Sequence, residues 1–187
     1  DRRIQSGDRF DKSEVKQMRV ALIGMMGTGK TAIGPLVAEK LGLSYADIDN
    51  CLVARMGMTI PVAFITFGEK TFHAYEHDVM CEVSWRDDML ICCGGGAALY
   101  EENMELLKDY VIVRLTATPE VIYDRTKDDF SRPLLKDNSP KKIAEMIEAR
   151  EEAYSRHADI TLDTSDISVE DAAQTVADAV MQFLENK

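Results

Sequence analysis

An apolar stretch, Val20-Ala-Leu-Ile23, runs directly into Gly24-Met-Met-Gly-Thr-Gly29-Lys30-Thr31, and this junction limits the folds open to the chain more than any other feature. The spacing is glycine, four residues, then Gly-Lys-Ser/Thr, the pattern of a phosphate-binding loop set between a strand and a helix. Glycines let the backbone turn sharply and aim its N–H groups at phosphate oxygens, a lysine reaches the outer phosphates, and the following hydroxyl suits a magnesium ion. Gly27, Thr28, Gly29, Lys30, Thr31 and Ala32 are therefore the expected contacts of a nucleoside triphosphate. The bland alternative is a glycine-rich turn with an incidental lysine. It leaves the strand-like run before the loop and the helical run after it unexplained.

Beyond the loop, β-prone apolar runs alternate with helical periodicity, the pattern of helices packed on both faces of a parallel sheet. Strands are expected at 19–24, 43–48, 89–93, 110–115 and 159–162. The clearest helix is the last: Val169, Ala172, Ala173, Val176, Ala177, Val180, Met181 and Leu184 recur three and four apart and form one apolar stripe. The reading is one α/β domain over 18–187, after a polar tail or remnant at 1–17. Residues 127–142 are charge-rich and weakly periodic, which suits a mobile flap over a ligand.

The 187-residue chain is 45% hydrophobic, enough for one well-buried domain, and its net charge of −11 argues against a nucleic-acid-coating surface. No apolar run approaches the roughly 20 residues that cross a bilayer. The four cysteines lack paired metal-site spacings and read as reduced thiols, so a cytoplasmic protein without membrane or nucleic-acid partners is expected. A monomer is compatible with this architecture.

Other constellations point to a site. Asp47 and Asp49 fall at the end of the second expected strand, where alternation would put both carboxylates on one face, able to hold a metal and accept a substrate proton; a helix cap plus a surface acid is the alternative. Gly94-Gly-Gly96 follows the third strand and either lets a ligand approach the backbone or makes a tight turn. Arg150 is in line with Ile143, Ile147 and Tyr154 along one helix face. A cation on an apolar seam wants an anion, from a structural carboxylate or from a ligand. Arg125 and Arg132 flank the expected flap, where closing arginines can neutralise a transferring phosphoryl group. His73-Ala-Tyr-Glu76-His77 also fits H-x-x-E-H, a zinc peptidase pattern, but a third ligand is not specified and the phosphate loop is left unexplained.

Taken in order, these motifs resemble the shikimate kinase family over nearly the whole chain after the tail. Gly24–Thr31 is similar to its phosphate loop, Asp47-Ile-Asp49 to its paired aspartates, Phe64 with Phe67-Gly-Glu69 to its substrate-domain helix and turn, and Gly94–Gly96 to its triple-glycine turn. Arg125 and Arg132-Pro-Leu-Leu135 resemble the adenine-side arginine and the catalytic arginine of the lid, and Arg150-Glu-Glu-Ala-Tyr154 the helix bearing a substrate-carboxylate arginine. The resemblance implies a P-loop kinase-like three-layer fold with a five-stranded parallel sheet in the order 2-3-1-4-5. It also implies a substrate-binding part near 48–86 and a lid near 126–140. The implied activity is ATP- and magnesium-dependent phosphorylation of shikimate at its 3-hydroxyl. Lys30, Asp49 and Arg132 would be catalytic, with Asp49 as general base, and Thr31 and Asp47 would organise magnesium. Arg125 would lie beside the nucleotide, and Asp49, His73, Gly94, Gly95, Gly96 and Arg150 would bind the acceptor.

One departure matters. Where the family pattern has an arginine after the phenylalanine that follows Gly-Glu, this chain has His73 after Phe72. A neutral imidazole replaces a charged fork, and losing a charge-assisted pair costs about 1.5–3 kcal/mol. His73 is expected to face the acceptor cleft, Glu76 to orient a neighbouring cation, and His77 to be solvated. The departure also keeps open a same-fold kinase with another acceptor and a non-catalytic relative that binds nucleotide or shikimate. A second, smaller departure lies near 166–169, beside the expected adenine site.

Overall fold

The computed structural model describes residues 17–128 and 139–187. Among them, five strands form one parallel sheet in the order β2-β3-β1-β4-β5: β1 Arg19–Ile23, β2 Ser44–Asp47, β3 Met89–Cys92, β4 Val111–Thr116 and β5 Ile160–Asp163. The expected order and all five strands are present, with ends shifted by one residue or so. Asp159 stays outside β5 because its carboxylate is used as an acceptor for the Ile112 N–H, at 2.8 Å.

Strand alternation divides the core cleanly. Ala21 and Ile23 of β1 and Met89 and Ile91 of β3 face one layer, while Val20, Leu22 and Leu90 face the other. A sheet covered on both sides has no polar face, which is why β1 and β3 read as unbroken apolar runs. On the second face lie α1 (Lys30–Leu41) and, at the C-terminal end, Val169–Glu185. The first face carries α2 (Ile48–Met56) and α3 (Ile60–Ser84). α3 is broken at Gly68, whose φ of 78° suits glycine and turns the chain within Phe67-Gly-Glu69.

After β3 come a short 3-10 turn, Ala97–Leu99, and α4 (Glu101–Glu105). α5 (Pro119–Thr126) and α6 (Pro140–His157) pack on each other and on Met25 through Ile122 and Ile143. α7 (Val169–Glu185) buries Ala172, Ala173, Val176, Ala177 and Val180, but Val169 and Met181 are largely exposed, so the stripe is narrower at its edges than periodicity implies. Ser168 caps this helix by accepting the Asp171 N–H at 3.1 Å.

One ion pair fastens α6 to the sheet. Arg114, buried on β4, donates to Glu151 Oε1 at 2.8 Å and Oε2 at 2.5 Å and to Ser155 Oγ at 2.9 Å, with its guanidinium over the Tyr154 ring. Nothing in the strand's apolar pattern announces this arginine. The paired Arg114 and then Ser155 hold the Glu151 carboxyl down at about 2 against an ordinary 4.5. A depressed carboxyl stabilises the fold above its unfolded pKa, and the contribution disappears as pH falls through the folded value. The window here runs from about pH 4.5 to about 2. Because Glu151 is half exposed, solvent screening limits the contribution to about 1 kcal/mol. Urea unfolding of wild type and Glu151→Gln should differ by about that amount at pH 7 and converge near pH 2; parallel pH curves would contradict this assignment.

Candidate active site

The site is built along the carboxyl ends of β1, β2 and β3, where parallel sheets open a crevice. At the end of β1, Gly24 has φ 137°, and a Cβ there would lie 2.3 Å from the Leu115 carbonyl oxygen, so both conformation and space require glycine. Gly29, at φ 98°, starts α1, placing the helix N-terminus inside the loop. Thr28 is buried and donates its hydroxyl to Met25 O at 2.8 Å. Lys30 Nζ donates to the carbonyls of Gly24 at 2.7 Å and Met25 at 2.9 Å. The Ala32 N–H donates to Gly29 O at 3.1 Å, within the first helical turn.

Asp47 ends β2 and caps α2: Oδ1 accepts the Asn50 N–H at 3.1 Å, while Oδ2 accepts the Thr31 hydroxyl at 3.1 Å and lies 3.4 Å from the Tyr45 hydroxyl. Asp49 sits in the first turn of α2, not on the strand. The expected reason for pairing the aspartates, strand alternation, is therefore wrong. A strand-to-helix turn brings them to one cavity instead, and the capping role offered as an alternative belongs to Asp47 alongside its contact with Thr31. The buried Cys92 thiol beside them is pushed up to about 12 by burial, so it stays neutral at physiological pH.

A cavity of about 450 Å³ adjoins the loop, lined among others by Thr31, Asp47, Asp49, His73, Glu76, the three glycines and Arg150. Gly94 lacks room for a side chain: a Cβ would meet Glu76 Oε1 at 2.6 Å and Asp49 Oδ1 at 3.0 Å. The Gly94 carbonyl accepts from Ala97 N–H, Gly95 from the Tyr154 hydroxyl at 2.5 Å, and Gly96 from Leu99 N–H. With these carbonyls occupied from within, a ligand would meet the run through its N–H groups. Arg150 reaches Gly95 O at 3.5 Å and Met25 Sδ at 3.8 Å, and no carboxylate among the described residues pairs with it. Of the two partners expected for this cation, the described residues thus supply no structural carboxylate.

His73 lines the same cavity, its Nδ1 2.9 Å from the buried Glu76 carboxylate and its ring against Tyr100 with centroids 4.2 Å apart. His77, expected to be solvated, is half-buried instead: Nδ1 lies 2.9 Å from Asn103 Oδ1, and Nε2 lies 3.4 Å from Cys81 Sγ. The two rings of H-x-x-E-H thus engage separate neighbours, and among the described residues no three His, Cys, Asp or Glu gather as a metal site. Arg125 donates to Gly27 O at 3.2 Å and to Thr164 O at 2.6 Å. Arg132 and most of the expected lid lie outside the described residues. Thr164 carries no motif in the sequence, yet its hydroxyl lies within 2.8 Å of Thr28 O and 3.0 Å of Thr116 O, tying the loop after β5 to the phosphate loop. Only tertiary placement could have singled it out.

A model of the family described as shikimate kinase matches residues 26–184. The shikimate kinase of Geobacter sulfurreducens is 39% identical over 165 residues, covering 87% of this chain and 91% of that protein. That of Thermodesulfovibrio yellowstonii is 38% identical over 159 residues, covering 84% and 91%. Among solved structures, a shikimate kinase from Acinetobacter baumannii in complex with shikimate superposes with a TM-score of 0.85 at 31% identity, covering 89% of this chain and 94% of that one.

Asp47 joins cap and site, and two substitutions separate these roles. Asp47→Ala removes the cap and should cost about 1 kcal/mol of stability, whereas Asp47→Asn keeps an acceptor for the Asn50 N–H and should cost only a few tenths, about 0.3 kcal/mol. Urea unfolding checks the order; equal losses would mean that the cap contributes nothing.

Proposed function

This chain belongs to the shikimate kinase family, a phosphotransferase that moves the γ-phosphoryl group of ATP to the 3-hydroxyl of shikimate, and we propose how its own residues divide that work. The observation that carries the proposal is one continuous cavity in which Thr31 of the phosphate loop, the two aspartates, the glycine run and Arg150 face the same space.

ATP phosphates lie on the loop from Gly27 to Ala32, where N–H groups and the α1 N-terminus favour negative charge. Lys30, held among the loop's carbonyls, exchanges those contacts for outer phosphate oxygens. Arg125, braced on Gly27 and Thr164, borders the nucleotide, and Arg132 contributes charge from the lid. Thr31 and Asp47 offer a hydroxyl and a carboxylate oxygen 3.1 Å apart, hard oxygen donors that suit magnesium. When bound, the ion neutralises phosphate charge.

Arg150 takes the acceptor carboxylate, and the N–H groups of Gly94, Gly95 and Gly96 help to seat the acceptor. Asp49 binds its hydroxyls and takes the proton of the attacking one. The acceptor oxygen bonds to the γ-phosphorus, the bond to the bridging oxygen breaks, and ADP leaves. Positioning and electrostatics supply most of the acceleration.

We further infer a monomer, which a single-domain fold allows, working in the cytoplasm, where all four cysteines stay free thiols. No single helix among the described residues is long and apolar enough to cross a membrane.

The test is ADP release with ATP and magnesium in the presence of no acceptor, shikimate or quinate. Shikimate should give the acceptor-dependent turnover. Lys30→Met and Asp49→Ala should each lower kcat by at least about a hundredfold, with folding retained by circular dichroism. Undiminished turnover in either variant would show that the role given to that residue is wrong.

A further inference from the structure

The histidine in the acceptor cavity is held in a way that fixes what it can offer. His73 Nδ1 lies 2.9 Å from Glu76 Oε2, and Glu76 is 1% exposed. An ionised carboxylate accepts hydrogen bonds and cannot donate them, so the proton of the neutral ring sits on Nδ1. That leaves Nε2 as a bare acceptor. Nothing among the described residues hydrogen-bonds to Nε2; the mostly exposed Glu69 Oε1 approaches only to 3.9 Å. Stacking on Tyr100 and an edge contact with Phe64 hold the ring in place.

The surroundings make the two protonation states unequal toward an anion. Glu69 and Glu76 face the ring from α3, Tyr100 from the segment after the glycine run, and Asp49 and Arg150 line the same cavity from α2 and α6. Burial first, then Glu69 and Glu76, push the Tyr100 hydroxyl up, so Tyr100 stays uncharged. Among the described residues that line the cavity, Arg150 is then the one fixed cation. A neutral ring turns a lone pair toward an incoming carboxylate, which repels it; an imidazolium turns an N–H and a positive charge toward it.

We propose that His73 is a protonation-gated specificity residue: with Nδ1 locked on Glu76, it binds the acceptor carboxylate beside Arg150 only as the imidazolium. This deepens the acceptor assignment and rests on it. Carboxylated acceptors are then favoured at mildly acid pH, and the preference fades as pH rises, while nucleotide affinity stays the same. The acceptor carboxylate remains ionised from mildly acid to neutral pH.

The measurement is KM and kcat for shikimate and for its uncharged methyl ester from pH 5.5 to 8, in wild type, His73→Arg and His73→Gln. In wild type, shikimate KM should rise about tenfold or more across the range, and the ester KM should stay flat. His73→Arg should remove the pH dependence and keep KM low, because its guanidinium is always charged. His73→Gln should hold KM high at every pH. A wild-type shikimate KM that is flat while turnover persists would overturn the gating alone. Failure of shikimate to stimulate ADP release at any pH would overturn the acceptor assignment and the gating together.

Discussion

Everything chemical in this molecule depends on how tightly the first loop is seated against the end of β4 and the helix that follows it. Gly24 lies where a Cβ would strike the Leu115 carbonyl, and a Cβ on Gly27 would press on Thr126 and Ile122 of α5. Thr164 and Arg125 then tie the loop to the segment after β5. The loop's N–H groups are aimed by this packing as much as by its own turns. A preorganised donor set of this kind has no reorganisation to undergo when charge moves between phosphates, which is where electrostatic catalysis gains most.

The acceptor side is organised by a different device, a polar seam running between layers. Arg114 on β4 grips Glu151, which places α6; the neighbouring Arg150 then reaches the cavity and Tyr154 anchors the Gly95 carbonyl. A half-exposed ion pair is a weak source of net stability but a good source of registry, because the buried Arg114 is costly to leave without its partner. Here registry is what the site needs. Half a helical turn of slippage in α6 would take Arg150 out of the cavity.

Glu76 is the link between the two sides of the acceptor cavity. One oxygen holds His73, while the other lies where a Gly94 side chain would be, close to Asp49. A single buried carboxylate thus fixes the imidazole, enforces glycine at position 94 and neighbours the residue proposed as base. The choice of residue at position 73 is consequently not a local matter. The ring inherits a partner that dictates its tautomer.

The sequence by itself determined the five strands and the phosphate loop, because those rest on local rules: apolar runs, clearest in β1 and β3, for doubly covered strands, and glycines where φ is positive; the order of the strands followed from the family resemblance. It also identified Asp47, Asp49, Gly94–Gly96 and Arg150 as residues worth placing together, though for the aspartates the geometric reason was mistaken, since β2 ends at Asp47 and a helix begins. Only the tertiary structure decided that Arg114 pairs with Glu151, that Thr164 braces the loop, and that His77 turns to Asn103 instead of solvent. Those contacts join residues 26 to 136 positions apart in the chain. No periodicity records which polar group will meet which, because a hydrogen bond is set by positions in space that the packing of the layers fixes.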